Sequence, residues 1–216
     1  LPEVTGLALV AVGSLGRREP APYGDLDLVL LHDGQVAGLA ELADRIWYPI
    51  WDSGLGLDHS VRTVDEAAAV AKDDLKAALG LLDARHIAGD AGLTGRLRER
   101  VLDGWRAGAA TRAPDLRELC EDRWERCGEA AFLLEPNLKD SRGGLRDAQL
   151  VRAFALAQVT DYPATVRTAY STLLDVRGEL HRVTGRAEDV LRLQEHDSVA
   201  EAMGLFSPDH TPDRDT

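Results

Sequence analysis

Short apolar runs separated by polar turns fill the first part of the chain. Apolar residues occupy positions 7–12, a second run follows Asp27 through Leu31, and residues 55–62 alternate between apolar and polar. Runs of this length, bounded by Gly, Asp and Pro, are typical of buried or half-buried strands. We therefore expect three strands before residue 63.

Apolar residues at helical spacing dominate the remainder. Leu39, Ala43, Ile46 and Ile50 place one apolar stripe along residues 35–51. The Thr63–Glu66 sequence is a capping box that begins the next helix. Further helices are expected at 75–88, 93–105, 116–134, 145–159, 166–183 and 191–203. Gly, Ala and Pro cluster at 107–114, which predicts a break and a domain boundary there.

Composition and charge restrict the class of protein. A chain of 216 residues with 44% hydrophobic content is long enough for a sizeable core. Its net charge of −12 argues against a nucleic-acid partner, which would require a basic patch. Cys120 and Cys127 are expected to be reduced core residues. No signal or membrane-spanning segment is present, so we expect a cytoplasmic protein; the one methionine, Met203, suggests an excised piece.

A turn of small residues follows the first strand. Gly13 and Ser14 come directly after it, and Arg17 lies one helical turn further on. Glycine lets a phosphate approach the backbone, the Ser14 hydroxyl adds a donor, and Arg17 can reach a triphosphate oxygen. A Gly-Ser pair is also an ordinary tight turn with an N-cap, and both interpretations stay open at this point.

Asp25 and Asp27 stand two residues apart where the second strand begins. Side chains at this spacing leave a strand on the same face, so both carboxylates would point to one spot. Mg²⁺ commonly binds one or two carboxylates together with substrate phosphates. The pair predicts a magnesium site, although Asp-x-Asp also occurs as a solvated strand entry.

The order of strand, Gly-Ser turn, helix, Asp pair and second strand resembles the nucleotidyltransferase superfamily. Residues 51–63 (WDSGLGLDHSVRT) and 133–147 (LLEPNLKDSRGGLRD) are similar to the bacterial PII-protein nucleotidyltransferases, the uridylyltransferase/uridylyl-removing enzymes. The resemblance covers residues 7–195. It implies an α+β fold with a polymerase-beta-like small mixed sheet and helices, followed by an all-α helical bundle.

The resemblance also implies a reaction and a division into domains. Residues 1–108 would be the catalytic domain, 109–203 a helical bundle that completes the nucleotide site, and 204–216 a mobile tail. The activity implied is Mg²⁺-dependent transfer of UMP from UTP, or of AMP from ATP, to a tyrosine of the trimeric PII signalling protein, with release of diphosphate. The sequence does not decide between UTP and ATP.

Further site residues follow from the same resemblance. Members of the superfamily usually carry a third carboxylate on a neighbouring strand, and Asp58 is favoured over Asp52, which lies at the end of the preceding helix. His59 and Arg62 are secondary candidates. In the second motif, Lys139 and Arg146 would meet triphosphate charge and Asn137 would bind base, ribose or metal. The alternative is a structural loop in which Asp140 or Ser141 caps a helix.

Two other functions stay open at this stage. A nucleotidyltransferase for a small molecule such as an antibiotic would share the Gly-Ser turn and the Asp pair but would not need residues 133–147. A non-catalytic nucleotide sensor would bind nucleotide and a protein partner without turnover. The His196-Asp197 dipeptide is not expected to form a phosphohydrolase site, because such sites take metal ligands from several helices.

Overall fold

Four short strands form one mixed sheet in the computed structural model, which describes residues 5–205. The strands are β1 (Leu7–Ala11), β2 (Leu26–His32), β3 (Leu57–Thr63) and β4 (Arg85–Gly89). Their order in the sheet is β3-β2-β1-β4, with β1 antiparallel to both β2 and β4 and with β2 parallel to β3. The three strands expected before residue 63 are thus confirmed.

Helices make up most of the rest of the described chain. They are α1 (Gly13–Arg17), α2 (Leu39–Asp52), α3 (Val64–Asp73), α4 (Leu75–Leu81), α5 (Ala91–Cys127), α6 (Leu145–Leu156), α7 (Ala164–Thr184) and α8 (His196–Ala202). The capping box at the start of α3 is confirmed, since Thr63 Oγ1 accepts from Glu66 N and the Glu66 carboxylate accepts from Thr63 N. The result is a mixed α/β chain with a small sheet and many helices.

The sheet has a hydrophobic core on each face because its strands alternate. Val29 and Leu31 of β2 pack with buried residues of α3, α4 and α5, whereas Leu28 and Leu30 pack on the opposite face against α2. Trp47 is the large buried side chain that α2 contributes. Asp27 immediately precedes Leu28 and therefore lies on the opposite face from it, which is the face that carries α3 to α5.

The described chain divides into two compact units. The first contains residues 5–20, 24–116 and 150–161, and the second contains 21–23, 117–149 and 162–205. This division differs from the predicted boundary at 108, because α5 runs without interruption through the predicted break at 107–114 and includes Pro114. Ala109 and Leu116 are buried on either side of that proline, so packing holds the helix together despite the lost hydrogen bond.

Two further expectations about elements were wrong. The helix predicted over 75–88 ends at Leu81, and Arg85–Gly89 becomes β4 because the open edge of β1 provides main-chain partners for it. The last helix is shorter than predicted and begins at His196. The tail predicted to be mobile lies outside the described residues from position 206 onward.

Cys120 and Cys127 are both free thiols, as expected. Within residues 5–205, none of the helices combines the length and the apolar character that spanning a membrane requires.

Candidate functional site

The Gly13 turn lies directly against the strand that carries Asp27. Val12 N donates to the main-chain oxygen of Asp27 at 3.0 Å, which joins the turn to β2. Gly13 has a φ of +56°, and a Cβ built there would lie 2.8 Å from Asp27 Oδ2. Only glycine leaves room for this approach, so the predicted phosphate-binding turn and the predicted metal-binding carboxylate are brought together.

Three aspartates lie near the starts of β2 and β3. Asp27 and Asp58 are paired in register across these parallel strands, so their side chains leave the sheet on the same face. Asp25 precedes β2 and lies against Gly56, where a Cβ would overlap its carboxylate. The backbone closes this corner, since Leu26 N donates to Gly56 O at 2.8 Å. Asp27 is half-buried, whereas Asp25 and Asp58 are exposed.

The carboxylates suit a metal ion that is shared with a substrate. Among residues 5–205, no group of three His, Cys, Asp or Glu side chains could hold a metal ion by itself. Mg²⁺ does not need such a group, because it usually keeps waters and binds one or two carboxylates plus phosphate oxygens. Asp25 and Asp27 provide oxygen donors of the required kind near the half-buried Gly13 turn, and this donor set fits Mg²⁺.

The two secondary candidates on β3, His59 and Arg62, lie on opposite faces of the sheet. His59 follows Asp58 directly and so lies on the opposite face of the sheet, where its ring centroid is 4.9 Å from Trp47 and 5.2 Å from Trp51. Its surroundings are those of a packing residue. Arg62 lies four positions beyond Asp58 and on the same face of the strand. Asp52 is exposed at the last position of α2.

Arg17 belongs to a buried ionic cluster at the end of α1. Its Nη1 atom lies 2.6 Å from Asp83 Oδ2 and its Nε atom 2.7 Å from Glu19 Oε2. Arg152 approaches the other oxygen of Asp83 at 2.5 Å, and the side chain of Asp83 is only 3% exposed. These ion pairs fix the guanidinium of Arg17, whose contact with a triphosphate stays a prediction. Ser14 is half-buried in α1.

In the second unit, the loop of residues 136–144 is built by its own polar side chains. Asn137 Oδ1 accepts from Lys139 N at 3.0 Å and from Asp140 N at 2.7 Å. Ser141 is fully buried, and its hydroxyl donates to Cys127 O and accepts from Asn137 N. Asn137 thus has a structural task within the loop, which its predicted ligand contact would have to accommodate.

Asp147 is a structural residue that the sequence reasoning missed. Its carboxylate accepts from Arg123 Nη2 at 2.6 Å, from Trp124 Nε1 at 3.1 Å and from Gly143 N at 2.7 Å. It thereby fastens the loop to α5. Nothing in the spacing of apolar residues signals this role, because all three partners bind Asp147 through N–H donors and two of them lie more than 20 positions away.

Lys139 and Arg146 present positive charge at the surface of the second unit. The Lys139 ammonium lies 3.7 Å from Asp189 Oδ2, and Arg146 Nε lies 3.0 Å from Asp140 Oδ1. Both side chains are roughly two-fifths exposed, at 37% and 40%. The loop therefore fixes their backbone and leaves their cationic groups accessible.

Comparisons with known proteins find one family and several relatives similar to this chain. Residues 115–166 and 160–214 match the GlnD PII-uridylyltransferase family. Over 209 residues the chain is 56% identical to the bifunctional uridylyltransferase/uridylyl-removing enzyme of Streptomyces coelicolor, covering 96% of this chain and 25% of that enzyme. The enzyme of the same name from Mycobacterium tuberculosis is 53% identical over 213 residues, covering 94% of this chain and 26% of that enzyme.

A third relative, from Corynebacterium glutamicum, has the same name and is 38% identical over 205 residues, covering 95% of this chain and 29% of that enzyme. The resemblance to the PII-protein nucleotidyltransferases is therefore confirmed, and the chain is a homologue of part of these enzymes. It spans about a quarter of the length of the curated relatives it matches.

Proposed function

We propose that this chain is the nucleotidyltransferase part of a PII-modifying enzyme. It transfers UMP from UTP, or AMP from ATP, to a tyrosine hydroxyl of the trimeric PII protein and releases diphosphate. The single observation that carries the proposal is the in-register pairing of Asp27 with Asp58 beside the Gly13 turn. In this proposal the small sheet is of the polymerase-beta type, and the helices of the second unit are its accompanying bundle.

The carboxylates have distinct tasks in this reaction. Asp25 and Asp27 would hold Mg²⁺, which neutralises phosphate charge and helps to align the reacting groups. The tyrosine oxygen forms a bond to the α-phosphorus while the bond from that phosphorus to the bridging oxygen of the diphosphate breaks. Asp58 accepts the proton of the hydroxyl as general base.

Charged and polar groups bind the nucleotide in this proposal. Gly13 and Ser14 present backbone and hydroxyl donors, and Arg17 extends a guanidinium that Asp83 already orients. Lys139 and Arg146 meet the triphosphate as cations, and Asn137 contributes its remaining amide group. Such transfers depend on position and charge neutralisation and need no covalent residue of the protein.

The relatives bear on the donor and the acceptor. All three are named uridylyltransferases, which favours UTP as the donor, and the matching family is named for PII. Neither the antibiotic-modifying alternative nor the non-catalytic alternative is favoured by any of these names.

Intact-protein mass spectrometry tests the proposal. PII is incubated with this chain and Mg²⁺, with UTP in one sample and ATP in another. We expect the mass of each PII subunit to rise by one nucleoside monophosphate, and Asp27→Asn to slow the rise by on the order of 100-fold. A PII variant with the acceptor tyrosine replaced by phenylalanine should stay unmodified. Binding of Mg²⁺-nucleotide without any mass change in PII would contradict the proposed transfer.

A further inference from the structure

Asp189, a residue that the nucleotide proposal does not use, is the centre of an ionic cluster in the second unit. Its Oδ1 atom accepts from Arg177 Nε at 2.5 Å, and its Oδ2 atom lies 3.7 Å from the Lys139 ammonium. His181 is fully buried beside them, with its Nε2 atom 3.7 Å from Asp189 Oδ1. We call these four residues the Asp189 cluster.

The backbone fixes Asp189 relative to the loop that carries Lys139. Leu138 N donates to Asp189 O at 2.8 Å, and Leu191 N donates to Pro136 O at 3.0 Å. These two bonds flank an isolated antiparallel bridge between Asn137 and Val190. Asn137 Oδ1 also accepts from the amide of Lys139, so the backbone of Lys139 is held close to the segment that carries Asp189.

The electrostatics of the cluster make Asp189 an anion. Burial by itself raises the pKa of Asp189, but the hydrogen bond and charge of Arg177, with the charge of Lys139, outweigh it and hold the pKa below its usual value. Burial, together with the charge of Arg177, lowers the pKa of His181. His181 is therefore neutral at pH 7, and its Nδ1 atom accepts from Tyr23 N at 3.3 Å.

The two cations share the carboxylate unequally. Arg177 takes the short contact and is 13% exposed, whereas Lys139 stands at a longer distance and is 37% exposed. At 3.7 Å the Lys139 ammonium is attracted to the charge of Asp189 but is too far away for a hydrogen bond, so its N–H donors can bind another acceptor. With one carboxylate and two cations, the cluster has a net charge of one positive unit. Lys139 is the more exposed of the two cations.

We propose that Asp189, itself held by Arg177, is a positioning residue that orients the ammonium of Lys139 for contact with the nucleotide triphosphate. The inference rests on the proposed function in one respect, namely that Lys139 contacts the triphosphate. Asp189 acts through Lys139 and touches no substrate.

The first test measures the ion pair between Asp189 and Lys139 in the absence of nucleotide. The chain has three lysines, Lys72, Lys76 and Lys139, so amine acetylation can be followed at each by mass spectrometry. Asp189→Asn keeps an acceptor for Arg177 and removes the charge. We expect it to speed acetylation of Lys139 by up to about fivefold, the range for a partly exposed ion pair, and to leave Lys72 and Lys76 unchanged.

The neighbouring acid provides a matched control. Glu188 lies 2.8 Å from Arg186 and 3.7 Å from Arg192 on the same segment, so Glu188→Gln removes an equal charge without touching Lys139. In Glu188→Gln, Lys139 should be acetylated at the same rate as in the unmodified chain. Asp189→Glu keeps the carboxylate and should restore slow acetylation, and it provides a folded comparison if Asp189→Asn lowers the melting temperature.

The second test asks whether Asp189 acts through Lys139 on nucleotide binding. Dissociation constants for the Mg²⁺ complexes of UTP and ATP are measured for Asp189→Asn, Lys139→Met and the double variant. We expect Asp189→Asn to weaken binding by up to about fivefold alone and to have no further effect beside Lys139→Met. An equal loss in both backgrounds, or no loss in either, would overturn the positioning role.

The two tests separate the two proposals. If nucleotide fails to protect Lys139 from acetylation while Asp189→Asn still speeds it, the ion pair exists but the nucleotide contact of Lys139 is refuted, and with it the positioning role. If nucleotide protects Lys139 but Asp189→Asn changes neither acetylation nor affinity, the proposed function stands and the inference about Asp189 fails.

Discussion

Asp27 is the residue on which the proposed site depends most directly. Its carboxylate lies beside Gly13, and its strand neighbour Asp58 shares its face of the sheet. Asp27→Asn keeps the shape of the side chain but weakens a metal ligand. We expect transfer to PII to fall by on the order of 100-fold, the scale seen when one charge-stabilising group is lost. The measurement is the initial rate of PII modification at saturating Mg²⁺.

Folding and activity must be separated in that experiment. Asp44→Asn, at an exposed position of α2, changes the net charge equally and should leave the rate within twofold or so. Thermal melts should show all three proteins folded. A rate near that of the unmodified chain in Asp27→Asn would refute the metal-site assignment.

Asp58 and Asp52 offer a direct comparison between two candidates for the third carboxylate. Asp58 is in register with Asp27, whereas Asp52 lies at the end of α2. If Asp58 is the general base, Asp58→Asn lowers kcat by about 100-fold or more, and Asp52→Asn leaves it nearly unchanged. Single-turnover rates with bound nucleotide measure this step. The opposite ranking would move the role to Asp52.

The sequence alone singles out the aspartates but does not indicate what surrounds them. Two aspartates at i and i+2 before an apolar run predict one face by strand geometry alone. The sequence does not contain the long-range pairings that decide other roles, such as Arg17 with Asp83, 66 positions apart. Asn137 likewise shows its task in the turn only once the loop is folded.

At the scale of the element, the capping box of α3 should make stability depend on pH. Hydrogen bonds from Thr63, mainly from its backbone N–H, hold the pKa of Glu66 below its ordinary value of 4.5. Its charge therefore stabilises the fold fully above that value, and the effect is lost as pH falls through the lower folded-state pKa. Glu66→Gln, which keeps the hydrogen bond, should melt below the unmodified chain at pH 7 and converge with it in acid.

Melting temperatures between pH 7 and pH 3 measure this convergence. The control is Glu41→Gln in the first turn of α2, because it removes an acid near a helix start where no capping box is formed. A constant difference between Glu66→Gln and the unmodified chain across the whole range would contradict the charge argument.

Two glycines should respond to alanine with opposite sign. A Cβ at Gly16 of α1 would lie 2.1 Å from Asp83 O, so Gly16→Ala forces the backbone apart and should cost about 2 kcal/mol. Gly95 of α5 is exposed and has no atom within 4 Å of such a Cβ. Gly95→Ala should therefore stabilise the chain by up to about 1 kcal/mol through helix propensity.

Denaturant unfolding of both variants measures these changes. Each kcal/mol corresponds to about 2–4 °C in melting temperature for a chain of this size. A neutral Gly16→Ala would mean that α1 can move away from the turn before β4, contrary to the close approach seen here.

Helices with a clear apolar period in their own sequence were predicted. Elements that depend on packing against another part of the chain were not. α6 and α7 follow their apolar period closely, with bounds within about three residues of those expected. β4 has no alternating pattern and exists because β1 has an open edge on that side. α5 crosses Pro114 because buried residues on both sides hold it, which local propensity cannot indicate.

At the scale of the whole molecule, charge decides which partners are compatible. The chain carries −12 formal charges and has a pI near 4.9, and the cations named in the candidate site are few. A phosphate backbone needs several cations along one surface, and the counterions it releases set its affinity. A nucleoside triphosphate needs only a few cations and a metal ion. Net charge thus predicts a separation of this chain from nucleotidyltransferases that extend RNA.

This separation can be measured by fluorescence anisotropy with labelled tRNA. At about 0.15 M salt we expect no binding below roughly 100 μM protein, the weak end of the non-specific range. A fluorescent UTP or ATP analogue with Mg²⁺ should bind in the same buffer, and Lys139→Ala should weaken that binding, because it removes an accessible cation of the second unit. Tight tRNA binding that weakens steeply with salt would point to a basic surface and would redirect the search for the acceptor from a protein to RNA.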